Sequence, residues 1–189
     1  MALAERVVRT APKGRAKPRI SPPTPAKSGL REYEACAAEI DIELMPWQRA
    51  AARYLTAQGA DGRWLYREFA AIVARQNGKT KLLVPAVVDR LRSGRRIMHT
   101  AQNRELPREV FGIVADIMQG KYKSELRSKP RFANGQEEIR TTNGGLYRIV
   151  APTRGGARGP SNDDVIIDEL REMDDYDFIA AAKPTLTAS

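Results

Sequence analysis

Arg67–Thr80 reads REFAAIVARQNGKT, and the fold of the chain turns on how this stretch is parsed. Phe69, Ala70, Ala71, Ile72 and Val73 make an apolar run short enough for a buried strand. Arg75-Gln76-Asn77-Gly78-Lys79-Thr80 follows directly, and a helical pattern comes after it. A buried strand, a tight loop ending in Gly-Lys-Thr and then a helix is a layout that holds a triphosphate. Backbone N–H groups at the helix start point at the β-phosphate, and the helix dipole favours negative charge there. In this reading Arg75, Gln76, Asn77 and Gly78 form the cradle. Lys79 reaches the β- and γ-phosphate oxygens, and the Thr80 hydroxyl completes a Mg²⁺ shell. The glycine that usually opens such a loop is replaced by Val73. An ordinary β-to-α turn is the alternative.

About ninety residues further on, Asp164-Val165-Ile166-Ile167-Asp168-Glu169 is a short apolar strand ending in two adjacent carboxylates. In phosphate-loop ATPases a second strand of this kind ends beside the loop. Its first acid, here Asp168, holds Mg²⁺ through water, and its second, Glu169, polarises the attacking water. A strand that stops at a solvated acidic turn is the bland reading. The two signals occur in the right order, with room between them for a strand and a helix, and together they favour an ATPase.

A chain of 189 residues with 42% hydrophobic content is long enough for one α/β domain with a sizeable core. Cys36 is the single cysteine, so neither an internal disulfide nor a thiolate metal site is available, and a reducing cytoplasm fits. No apolar run approaches the roughly 20 residues of a membrane span, and none near the start resembles a signal sequence. Residues 1–29 hold seven Lys and Arg against Glu5 alone, so this tail carries +6 of the net +9. With Pro12, Pro18, Pro22, Pro23 and Pro25 it reads as disordered and extended. Such a tail suits a polyanion such as DNA, or is simply a solvated lead-in.

Order is expected from about Leu30, with a short helix over 31–39. Pro46 opens a second helix running to about Ala57, with Trp47, Ala51, Tyr54 and Leu55 on one face and Trp47 as a core anchor. The amide of Gln48, just ahead of the first strand, can pair with N6 and N7 of adenine; a solvent-facing Gln is the competitor. A helix is expected over Lys81–Arg92, bent slightly at Pro85, then a strand over Arg95–Ala101 and a helix over Arg104–Met118. His99, the only histidine, has no partner ligands in the sequence and reads as structural. Asn143-Gly144-Gly145 separates EEIRTT from LYRIVAP, a hairpin pattern. The stretch 153–161 (TRGGARGPS) reads as a loop with little intrinsic structure, whose Arg154 and Arg158 suit a γ-phosphate sensor or an arginine reaching a neighbour's site. A short helix is expected over Tyr176–Ala182.

These residues together resemble the amino-terminal ATPase region of a tailed-phage terminase large subunit, the DNA-packaging motor. MPWQRAAARYL, VARQNGKT, MHTAQNRELPREVF and GGARGPSNDDVIIDE carry the likeness, over about residues 40–189. The resemblance implies a P-loop NTPase of the ASCE type, a three-layer α/β sandwich around a mostly parallel sheet. It implies Gln48 as the adenine contact, Arg75 as a γ-phosphate sensor, and Lys79 and Thr80 as the phosphate and Mg²⁺ residues. Asp168 becomes the metal-holding acid, Glu169 the catalytic base, and Arg158 or Arg154 a trans-acting arginine finger. The implied cofactors are ATP and Mg²⁺. The implied partners are double-stranded DNA, the portal protein and the small terminase subunit, around a homo-oligomeric ring on the procapsid in the host cytoplasm.

Members of this family continue into a coupling strand and a metal-dependent nuclease domain. The resemblance therefore implies that the sequence stops inside the ATPase domain, leaving the sheet incomplete on its C-terminal side, with no nuclease. Two further readings stand beside an active packaging ATPase. One is a catalytically silent fragment that only binds nucleotide or partners. The other is a helicase-like nucleic-acid ATPase.

Overall fold

A computed structural model describes residues 18, 20–74, 76–103, 105–157, 161–170 and 177–186; of Arg154 and Ala157 it describes the backbone alone. The fold is α/β, with a mostly parallel central sheet. Its strands are β3 (Arg96–Ala101), β4 (Glu138–Arg140), β5 (Leu146–Ile149) and β6 (Asp164–Asp168), in the order β4-β5-β3-β6. β3 runs parallel to β5 and β6, whereas β4 and β5 form the antiparallel hairpin expected at the Asn143-Gly144-Gly145 turn. A smaller antiparallel pair joins β1 (Lys27–Ser28) to β2 (Ala57–Gln58), so regular pairing begins slightly before Leu30.

Alternation along the strands sends one set of side chains into the main core. Ile97, Ile139, Tyr147 and Ile149 meet α1 (Leu30–Glu39), α3 (Lys79–Arg92) and α4 (Glu105–Gly120) through Cys36, Val84, Val87, Leu91, Val110, Phe111 and Val114. On the opposite face α6 (Asp177–Ala182) covers Met98, Val150, Val165 and Ile167 with Phe178 and Ala182. The result is three layers, helix on sheet on helix. A third cluster ties α2 (Pro46–Leu55) to α1 and α3 through Tyr33, Ala52, Leu82 and Ala86. Trp47 packs on its margin, half-buried; the fully buried side chains of α2 are Gln48 and Ala52.

Two expectations about local structure are corrected. Phe69–Val73 is not a strand: no described strand pairs with it, and Phe69 and Ile72 are exposed, Ile72 at 98%. β6 is bonded only to β3 among the described strands, so its outer edge is open, yet 69–73 does not pair with it, and an apolar run without a partner strand gains nothing from an extended backbone. Within the expected loop, Arg154–Ala157 forms a single helical turn, α5, with the Gly156 N–H donating to Thr153 Oγ1 at 3.1 Å. Residues 158–160, like residues 1–17, Arg75 and Arg104, lie outside the described residues. Among the described residues no helix is long and apolar enough to cross a membrane.

Candidate functional site

The strand order reverses direction at β3: the chain leaves it for β5 on one side and returns as β6 on the other. In open α/β sheets a crevice opens at such a point, outside the carboxyl ends of the strands. β6 delivers Asp168 and Glu169 to that end, with Asp168 in register with Ala101, the last residue of β3. α3 starts beside them, with Gly78 as its N-cap and Lys79 as its first helical residue.

Residues distant in sequence therefore meet. Lys79 Nζ stands 3.3 Å from Asp168 Oδ1 and 3.9 Å from Glu169 Oε1, all three half-buried. The Glu169 N–H donates to Asp168 Oδ1 at 2.8 Å, which orients the first carboxylate with the backbone of the second. Thr80 occupies the next position of α3, partly buried. Ahead of the helix, Gln76 and Asn77 are exposed, and Gly78 is partly buried.

Backbone conformation singles out the same place. Three described non-glycine residues have positive φ: Asp41, Gln76 at +61° and Glu169 at +49°. Two of the three flank the Lys79–Asp168 contact. The left-handed region costs an L-residue about 1–2 kcal/mol, and such conformations gather where function constrains the chain. Gly78, at φ +76°, takes the same turn as Gln76 without that cost.

Gln48 has a position its sequence context did not indicate. Its side chain is fully buried; Oε1 accepts from the Met45 N–H at 2.7 Å, and Nε2 donates to the Gly78 carbonyl at 2.7 Å. It thus caps the start of α2 and fastens that helix to the turn ahead of α3. Sequence reasoning set Gln48 just ahead of the first strand, as an adenine contact or a solvent-facing side chain; its burial rules out the second, and its bond to Gly78 was not foreseen. Of the remaining expected residues, Arg75 and Arg158 lie outside the described residues, as does the side chain of Arg154.

His99 lies on β3, two residues before the edge of the crevice, and is fully buried. Its Nδ1 is 2.7 Å from the Tyr147 hydroxyl, and Nε2 has no hydrogen-bond partner among the described residues. Burial pushes the imidazole down to about 4, against a weaker opposing pull from Asp168. A neutral ring packed on Tyr147 agrees with the structural role expected of it. The first acid of the DVIIDE strand is structural too. Asp164 accepts from Arg95 Nε at 2.6 Å and pairs with Arg90 at 3.5 Å, and both guanidinium groups lie over Trp64.

The sequence matches no protein-family model and no curated protein. The structure does have a counterpart: the large terminase of bacteriophage HK97, with a TM-score of 0.65 over 86% of this chain. The chain has a terminase fold. At 18% identity the likeness is one of fold, and the chain spans 36% of that terminase. The terminase-like topology is what brings α3 and β6 to the same end of the sheet.

Among the described residues no group of three or more His, Cys, Asp or Glu could cage a metal alone. The oxygen donors at hand, the Thr80 hydroxyl and the Asp168 carboxylate, suit Mg²⁺ better than a softer ion. Mg²⁺ is ordinarily held by one or two protein oxygens, with water and substrate phosphates filling its octahedron.

Proposed function

We propose that this chain binds ATP at the start of α3 and hydrolyses it, as the motor portion of a phage terminase large subunit that packages double-stranded DNA. The observation that carries the proposal is the convergence of Lys79 with Asp168 and Glu169 across the switch point of a terminase-like sheet. A lysine at a helix N-terminus beside two carboxylates is chemistry for a metal-bound polyphosphate.

In this reading the α3 N–H groups and Lys79 bind the phosphates, with Gln76, Asn77 and Gly78 shaping the loop and Arg75 sensing the γ-phosphate. Mg²⁺, held by Thr80 and Asp168, would supply charge neutralisation to the transferring group. Glu169 orients the attacking water and takes its proton, and its left-handed backbone turns the carboxylate out of line with β6. Gln48 keeps a second amide hydrogen and a second lone pair free to read adenine, but only if the base displaces the packing that now covers it. Arg158 or Arg154 reaching a neighbouring subunit would make turnover depend on ring assembly. The portal protein and the small terminase subunit would be the other partners, in the host cytoplasm.

Two variants separate binding from chemistry. Lys79→Ala should lose ATP affinity by at least about tenfold in equilibrium binding. Glu169→Gln should bind ATP as the parent does yet release phosphate at least about 100-fold more slowly. Parent-like turnover by Glu169→Gln would remove it as the base.

One observation favours a second reading, a nucleotide-binding fragment without turnover. Among the described residues the segment ahead of the loop pairs with no strand, and the loop is tied to the rest of the fold through α3 and the Gln48–Gly78 bond. Measurable ATP binding with no phosphate release from concentrated chain and DNA would select that reading.

A further inference from the structure

The sheet has a second polar feature, remote from Lys79. Register places Arg96 of β3, Arg148 of β5 and Glu138 and Arg140 of β4 on one face, the face opposite the main core. The segment 126–131 extends that surface beyond β4: Arg131 bridges Glu138, and the Arg127 N–H donates to the Arg140 carbonyl. Arg127, Lys129, Arg131 and Arg140 are exposed, and with Ser128 and Glu138 they line a cleft of about 380 Å³. α6 covers the apolar half of this face, and the exposed basic side chains lie towards its β4 edge.

Charge here is unbalanced. Against six cations stand Glu138, bonded to Arg140 at 2.9 Å and 3.8 Å from Arg131, and Asp163, whose carboxylate accepts from the Arg96 N–H at 2.7 Å. The Nε atoms of Arg96 and Arg148 are buried with no hydrogen-bond partner among the described residues. Among the described residues Arg148 bonds the neutral Asn162 Oδ1, at 3.3 Å, and the Met98 sulfur. Burial, and then the neighbouring Arg96, push its pKa down. Crowding like charges while leaving buried donors unpaired is costly unless an anion answers them. Three strand gaps of about 4.8 Å separate the row of Arg96 from that of Arg127, a track of about 14 Å. That is wider than a single phosphate group, and planar guanidinium groups are suited to bidentate phosphate contacts.

We infer that this basic sheet face is a docking track for the phosphate backbone of double-stranded DNA. The choice of DNA rests on the packaging role proposed above; the track itself needs no nucleotide and no chemistry at Glu169. Its contacts are to phosphate, so they position the duplex without reading its sequence.

The test is binding of the full chain to a short labelled DNA duplex, without ATP, across a salt series. Because ATP is absent, failure here is distinct from failure of the ATPase reading. Changing Arg127, Lys129 and Arg131 together to Gln should weaken binding at least about tenfold and make the slope of log K on log salt shallower by about 2–3. Glu138→Gln should act in the opposite direction and tighten binding, an outcome that damaged folding cannot imitate. A tail variant with Lys13, Arg15 and Lys17 changed to Gln should still respond to both changes. Unaltered affinity and slope in the triple variant, or a slope that collapses in the tail variant alone, would overturn the assignment. Thermal melts of each variant check that the fold is kept.

Discussion

Gly78 joins two demands in one residue. Its backbone sits at φ +76°, and a Cβ placed on it would stand 3.0 Å from Gln48 Nε2. Alanine there must carry the left-handed cost and also push on the amide that holds α2 to the loop. Gly78→Ala should therefore lower stability by about 1–2 kcal/mol, read from the urea midpoint with the slope unchanged. A midpoint equal to the parent's would mean that the loop refolds around the methyl group and that Gln48 is no constraint. At the same scale the acid pair was legible in advance, because two carboxylates ending an apolar strand is a pattern in the chain itself. The buried bonds of Gln48 were not legible. They depend on Gly78, thirty residues on, and on the carbonyl that its turn presents.

Elements with strong periodicity could be read in advance. α1, α3, α4, β3 and the β4–β5 hairpin lie within a few residues of expectation, since each carries its own apolar stripe, alternation or turn residues. Phe69–Val73 could not be, because a short apolar run becomes a strand only if a neighbour offers a ladder. Val165, Ile166 and Ile167 of β6 are only partly buried, unlike the fully buried β3 residues 97–100. Hydrogen exchange should show this difference directly. Amides of 69–74 should exchange at nearly the rate of an unstructured peptide, while those of 97–100 should be protected close to the global limit. Protection of 69–74 comparable with β3 would mean that the segment pairs with a strand in solution.

At the scale of the whole molecule, the sheet is closed on one face by α1, α3 and α4 and buries His99 and Tyr147 beneath them. A histidine held near 4 when folded and near 6.5 when unfolded binds its proton more readily in the unfolded chain. Between those values stability must rise with pH, so this contribution is complete above about 6.5 and is lost as pH falls towards 4. The loss amounts to roughly 3 kcal/mol by pH 4. In His99→Asn, whose amide can stand in for Nδ1 towards Tyr147, the pH dependence of stability between 4 and 6.5 should flatten by about that amount. Equal slopes for parent and variant would show that His99 is protonated in the fold.

Local patterns along the chain were enough for the α/β class, most helices, the hairpin, and the two short motifs that could hold a triphosphate. All of these are local, set by periods of two or 3.6 residues and by residues that tolerate particular turns. It took the packed fold to show that Lys79 reaches Asp168, that Gln48 is buried against Gly78, that 69–73 pairs with no described strand, and that six basic side chains gather along one side of the sheet. Those facts depend on which strands lie side by side and in what register, and strand neighbours are chosen by contacts between residues far apart along the chain.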